Sequence, residues 1–251
     1  MTPIGQAAEP IQFTRAVRRK SKLRICIAGP SGSGKSYSSL LLAKGLGGSI
    51  AAIDTEHGSL PLYSHLVKFD SFSLGAPYSA DRYIAAIKEA EAAGYDNLII
   101  DSFSHAWSGA GGILDMHSME ELKQKNGFRA WREVTPKHNE LVDTILASKM
   151  NMIVTLRSKQ DWVNEKDSDG KWNIKKVGLA PIQREGIEYE FTLVYDVDHT
   201  THKAVASKTR IDLFDKKVEI ISEQTGRDLI AWMESGEEEE KKPTAVRQIE
   251  R

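Results

Sequence analysis

Residues 23–36 read LRICIAGPSGSGKS, and the fold is decided there. Leu23 to Ala28 is a short apolar run without alternation, which suits a strand buried on both faces of a parallel sheet. The run stops at Gly29-Pro30 and gives way to Gly29-Pro30-Ser31-Gly32-Ser33-Gly34-Lys35-Ser36, a match to G-x-x-x-x-G-K-[ST]. From Lys35 the apolar positions turn helical, with Leu40, Leu41, Leu42, Ala43 and Leu46 closed by Gly47-Gly48. Strand, glycine-rich loop and helix is the context a phosphate-binding loop requires. Its glycines let the backbone wrap a phosphate, and its N–H groups and the helix N-terminus present positive potential. The residues Gly29, Pro30, Ser31, Gly32, Ser33, Gly34, Lys35, Ser36 and Tyr37 are therefore the expected nucleotide contacts. Lys35 is expected on the β- and γ-phosphates and Ser36 on Mg²⁺.

Outward from this loop, strands alternate with helices. Strands are expected at Ser49 to Ile53, Phe69 to Leu74, Asn97 to Ile100 and Met152 to Leu156, with helices at Ser79 to Ala93, Ile113 to Lys125 and Phe128 to Ser148. Pro136 should kink or break the last of these helices. A long polar stretch from Arg157 to Glu185 carries a hairpin-like turn at Asp169-Gly170. Phe191 to Val197 and Ala204 to Ser207 read as a terminal strand pair, and Glu223 to Glu234 as a final helix. The pattern predicts an α/β fold: a doubly wound, mostly parallel sheet flanked by helices, with an antiparallel strand pair at its C-terminal edge.

Asp101 ends the strand LIID and is the natural support for the metal ion. Many ATPases of this type place a glutamate directly after that aspartate to orient water, but here the position is Ser102. The strand after the loop helix supplies another candidate in Ile53-Asp54-Thr55-Glu56-His57, where Glu56 would lie at the carboxyl edge of a neighbouring strand. The alternative for Glu56 is a surface turn glutamate. Ser158-Lys159-Gln160-Asp161 resembles the guanine-reading N-K-x-D of GTPases, yet Asp101-Ser102-Phe103-Ser104 lacks the glycine that those enzymes need for sensing a γ-phosphate. Guanine-nucleotide switching is thereby disfavoured.

Together these residues resemble the RecA-like recombinases, in which a strand ending aspartate-x-glutamate-histidine carries the catalytic glutamate; IDTEHG is similar here, as is the metal strand followed by Asp-Ser. From about Phe13 to Glu234 the chain looks closer still to a phage-encoded group of small P-loop ATP-binding proteins, through GPSGSGKS, IDTEHGS, LIIDSFSHAW, AWREVTPKHN, TLRSK, KVGLAPIQREGIEYEF and ASKTR. The resemblance implies a RecA-like core using ATP and Mg²⁺. It implies a homo-oligomer, ring or filament, that anneals single-stranded DNA beside a cognate single-strand-binding protein in the host cytoplasm. It makes the segment after Met152 to Leu156 a DNA-binding loop. There Arg157, Lys159, Lys171, Lys175 and Lys176 would neutralise phosphates, and Trp162 and Trp172 would stack on bases; without the resemblance, a surface hairpin with packed tryptophans reads as well. Thr155 and Arg157 match the strand end that couples γ-phosphate state to that loop, with Thr in place of the usual amide. Lys208 and Arg210, in Ser207-Lys208-Thr209-Arg210, resemble the basic pair that acts on a neighbour's ATP, and are otherwise ordinary surface charges.

Composition frames the rest. The 251 residues hold 34 Lys+Arg against 35 Asp+Glu, a net charge of -1, and 40% hydrophobic residues, enough for a globular core. One cysteine, Cys26, excludes an internal disulfide, and no apolar run reaches the roughly 20 residues of a membrane span. The N-terminus lacks a secretory pattern, so a soluble, reducing-compartment, cytoplasmic protein is expected. The charges are sorted: Arg15, Arg18, Arg19, Lys20, Lys22 and Arg24 lie together, and Glu237 to Glu240 form an acidic run. The expected organisation is a basic arm over 1–22, a core over 23–234 and an acidic, disordered tail over 235–251. Phe13-Thr14-Arg15-Ala16 fits the F-x-x-A pattern by which some recombinases dock an arm on the next subunit, as does Phe103-Ser104-His105-Ala106. The competing functional class is an ATP-dependent regulator or loader that acts on a protein partner without touching DNA.

Overall fold

The computed structural model describes Phe13, residues 15–18, 20–166 and 172–237, with backbone alone for 160–166 and 172–178. In chain order the elements are β1 (Arg24–Gly29), α1 (Lys35–Leu46), β2 (Ile50–Asp54), β3 (Asp70–Ser73), α2 (Ala80–Ala92), β4 (Asn97–Asp101), α3 (Ser104–Ser108), α4 (Ile113–Gln124), α5 (Gly127–Ala147), β5 (Asn151–Lys166), β6 (Trp172–Pro181), β7 (Leu193–Val197), β8 (Ala204–Thr209), β9 (Val218–Glu219) and α6 (Glu223–Glu234). The sheet runs β3-β2-β4-β5-β1-β7-β8-β9, with β6 paired to β5. From β3 to β7 every neighbour is parallel; β8 and β9 turn antiparallel at the C-terminal edge. This is the doubly wound α/β class expected, with β9 added to the edge pair.

All of β1 is buried because both of its faces are covered. Ile25 and Ile27 join the core under α1 and α6, whereas Cys26 and Ala28 join the one under α2 and α5. This two-sided burial is what the unbroken apolar run requires. By contrast β3, DSFS, is exposed at all four residues and forms the free edge of the sheet.

Of the kink or break expected at Pro136, the break does not occur: α5 is one helix with Pro136 inside it. Its buried stripe of Ala130, Val134, His138, Leu141 and Ile145 docks along its length, and Asn126 caps its start by accepting a hydrogen bond from Arg129 N. Packing of an amphipathic face supplies most of a helix's stability in a folded protein, so the missing N–H of one proline is tolerated.

The described residues at the charged ends make specific contacts. Arg24 is buried, and its guanidinium donates to the carbonyls of Leu23, Leu146, Ser148 and Met150, so it serves the fold rather than a basic surface. Arg18 donates to Trp232 O and Ser235 Oγ, both at 2.6 Å, and lies over the Trp232 ring at 4.8 Å. Lys20 N donates to Glu237 O and Glu237 N to Arg18 O, each at 2.8 Å, a parallel bridge between the arm and the start of the acidic run. Glu238 to Glu240 lie outside the described residues. Among the described residues no helix is long and apolar enough to cross a membrane.

Candidate active site

Register brings the functional strand ends to one edge of the sheet. Asp54 pairs with Asp101 across β2 and β4, and Gly29 with Arg157 across β1 and β5. Open α/β sheets bind ligands at this carboxyl edge, where crossovers leave in opposite directions.

The phosphate loop lies at the end of β1. Gly32 and Gly34 have φ of 78° and 87°, a left-handed geometry that side chains resist, and a Cβ at Gly32 would meet nothing within 4 Å. Ser33 is fully buried, and its Oγ has no hydrogen-bond partner. An orphaned hydroxyl in such a cradle matches a site shaped for phosphate oxygens. Lys35 Nζ turns back onto Pro30 O at 2.8 Å. Burial lowers its pKa, against the charges of Asp101 and Glu56, which raise it.

Ser36 Oγ donates to Asp101 Oδ2 at 2.5 Å, and Thr155 Oγ1 donates to Asp101 Oδ1. Burial raises the Asp101 pKa despite those hydrogen bonds. A hydroxyl and a carboxylate in contact are the hard oxygen donors that Mg²⁺ uses beside phosphate oxygens and water. The residues present therefore fit both a triphosphate and its metal ion. The Asp101–Ser102 peptide is cis, and Ser102 Oγ is buried without a partner.

Glu56 is carried to the same edge by a turn after β2. Asp54 accepts from Glu56 N at 2.7 Å and from Leu60 N at 3.3 Å, and Thr55 Oγ1 accepts from Ser102 N at 2.7 Å, which ties the ends of β2 and β4 together. Both Glu56 oxygens are held by Arg157: Nε donates to Oε1 at 2.7 Å, and an Nη donates to Oε2. Burial alone would raise the carboxyl's pKa; the Arg157 hydrogen bonds and charge, helped by His105, bring it below its ordinary value. His105 Nδ1 lies 2.7 Å from Thr55 Oγ1, and its ring stacks on Tyr78.

Of the expected site residues, the loop, Ser36, Asp101, Glu56 and Arg157 come together. Arg157, expected as a DNA contact, stands in the site itself. Lys159 is exposed at the root of the β5–β6 hairpin. The backbone register sets Trp162 opposite Lys176 and Lys175 opposite Val163, with Trp172 opposite Lys166; Lys171 lies outside the described residues. Lys208 is placed elsewhere: Nζ donates to the carbonyls of Glu188, Tyr189 and Phe191 at 2.9, 2.5 and 2.5 Å, while Arg210 reaches Tyr189 O at 3.3 Å. Both close the carbonyl end of a 3₁₀ turn at Ile187–Glu190.

One part of the site had no sequence signal. A cleft of about 500 Å³ beside the loop is lined by Tyr37, Tyr63, Thr201, His202, Ile220 and Ile221. His202 Nδ1 lies 3.2 Å from Ser33 O, and Tyr37 meets Tyr63 edge to face at 5.8 Å between centroids. Asp198 holds the β7–β8 turn by accepting from Thr201 N and Oγ1, both at 2.7 Å. Apolar and aromatic walls next to a phosphate loop suit a nucleobase. Only Tyr37 adjoins the motif; the others come from three distant segments.

A family model described as an AAA domain matches residues 21–230. No curated protein matches the sequence. Among solved structures, the crystal structure of the RadB recombinase aligns with a TM-score of 0.43 and 15% identity, covering 80% of this chain and 86% of that one.

Proposed function

From the premise that this chain belongs to the AAA domain family, we propose that it is a RecA-like, phage-encoded recombination protein that hydrolyses Mg²⁺·ATP and promotes annealing or strand pairing of single-stranded DNA. The observation that carries this reading is a single edge. Lys35, the Ser36–Asp101 pair and Glu56 converge there, and β5 leaves the same edge directly into the hairpin bearing Trp162 and Trp172.

In this reading the loop N–H groups and Lys35 hold the triphosphate, and Ser36 and Asp101 hold Mg²⁺, which offsets negative charge on the phosphates. Glu56 takes a proton from water as the water oxygen bonds to the γ-phosphorus; the bond to the ADP oxygen breaks, and ADP leaves with that electron pair. The cleft beside Tyr37 takes the base. The hairpin's lysines offer charge to phosphates and its tryptophans offer stacking surface, a sequence-tolerant combination.

Titrating the full chain with oligo-dT, with and without a non-hydrolysable ATP analogue, tests this. Quenching of the native tryptophan fluorescence and an affinity that falls as salt rises are expected. Absence of both, with nucleotide binding intact, leaves the protein-partner reading, which the exposed Met119, Leu122 and Phe128 near the α4–α5 turn favour.

A homo-oligomer is part of the proposal. Phe13 is 98% exposed, and a groove of about 570 Å³ between the free edge β3 and α2 is walled by Ala51, Ile53, Phe72, Leu74, Ala86 and Ala90. The exposed Phe13 of the arm and an apolar groove at a sheet edge are complementary. Phe13→Glu is expected to reduce the particle to monomers in light scattering while leaving nucleotide binding unchanged; an unaltered mass would remove the arm from the interface. A cognate single-strand-binding protein and a host-cytoplasm location belong to the same reading.

A further inference from the structure

Arg157 combines a fixed backbone with a movable charge. Its N–H donates to Ser104 Oγ at 2.9 Å, and its carbonyl accepts from Ile182 N at 2.6 Å, while its Cα pairs with Gly29 at the start of the phosphate loop. The guanidinium is partly exposed and forks onto Glu56. Its charge is felt by Lys35 and Asp101, the two groups that flank the phosphate position. One fork thus has two anionic claimants, the Glu56 carboxylate it holds and the terminal phosphoryl group that a bound triphosphate would bring beside Lys35. A guanidinium pairs in bidentate fashion with either.

We propose that Arg157 is a catalytic arginine supplied in cis: it is parked on Glu56 when no triphosphate is bound, and it transfers to the γ-phosphoryl group when one is. This rests on the ATP reading above. The γ-phosphoryl group carries more negative charge than one carboxylate, so the fork moves to it. The transfer leaves both Glu56 oxygens available to water, so the base is armed only when there is something to cleave. In its new place the guanidinium faces the charge that develops on the transferring group, the role of an arginine finger. The pinned backbone keeps the movement within the side chain. Glu56 loses its pKa-lowering partner at the same moment, and the burial that remains strengthens it as a base. The assignment differs from that of Lys208, which is engaged by three carbonyls of its own chain.

Equilibrium binding of ATP and ADP to the full chain, alongside ATP turnover, tests the proposal. The wild type is expected to prefer ATP. Arg157→Ala should erase that preference by weakening ATP about tenfold with ADP unchanged, and should lower turnover about a hundredfold or more. Arg157→Lys should recover charge without the fork, and hence only part of both. Glu56→Gln removes the competing claimant, so it should tighten ATP several-fold but not ADP. If Arg157→Ala retains the wild-type ATP/ADP ratio, or Glu56→Gln leaves ATP affinity unmoved, the proposal falls while the nucleotide site stands. If the wild type binds neither nucleotide, both readings fall together.

Discussion

Glu56→Gln is expected to slow ATP turnover by about 10²- to 10³-fold, in the range for loss of a general base, while leaving nucleotide binding at least as strong as in the wild type. Glutamine keeps the shape and one acceptor oxygen of glutamate but has no oxygen basic enough to take the proton of the attacking water. The loop, Lys35 and the Ser36–Asp101 pair are untouched by the change, so the ground-state complex persists. The signature is a fall in kcat without a matching rise in the binding constant, measured by phosphate release and by calorimetry. Wild-type turnover in this variant would return Glu56 to being a turn residue and move the search for a base to His105.

Gly45→Ala is expected to destabilise the fold by about 3 kcal/mol, at the upper end for overpacking a close contact. An alanine Cβ there would lie 2.1 Å from Glu223 O and 2.8 Å from Gly226 Cα, backbone atoms of α6 that have no rotamer to yield. Gly226 mirrors it, since its Cβ would lie 2.3 Å from Leu42 O. Alanine gains about 1 kcal/mol of helix propensity over glycine, which the clash exceeds because α1 and α6 must separate along their crossing. For a chain of this size the melting temperature should fall by roughly 6–12 °C. A rise in Tm would mean that the two helices move apart freely. The expected loss matters for function because α1 begins at the phosphate loop: Gly34 caps it, and a shift of the helix would move Lys35 and Ser36.

Sequence and structure agree most closely where chemistry and local pattern coincide. The strand–loop–helix around Gly29 to Ser36 needed only neighbours along the chain, and Asp101 announced itself by ending an apolar strand. Glu56 was legible for the same reason, since it follows a strand end directly. What escaped reading depends on contacts distant in sequence. Thr155 holds Asp101 across 54 positions, Arg157 holds Glu56 across 101, and His202 touches Ser33 across 169. No periodicity reports such pairs, and each turns on which strand lies beside which. Arg157 read both as a cation of the basic hairpin and, with Thr155, as part of a strand end coupled to the γ-phosphate; its place beside Gly29 comes from the register. At Pro136 the local rule allowed a kink or a break, and the stripe from Ala130 to Ile145 carries the helix through without a break.

The bridge between residues 18–20 and Glu237, with Arg18 seated on Trp232 and Ser235, closes the chain into a ring that lacks one covalent link. Closing so long a loop costs little more than closing a short one, since the entropy grows only with the logarithm of length, so a few hydrogen bonds and one cation–π contact suffice as a clasp. The two ends thereby become a single mechanical object. Trimming the chain after Ser235 removes the Glu237 half of the clasp as well as acid, and leaves the Arg18 contacts to Trp232 and Ser235. The arm and the start of the acidic run are joined through backbone groups and Arg18, so a change on one side of the clasp is felt on the other.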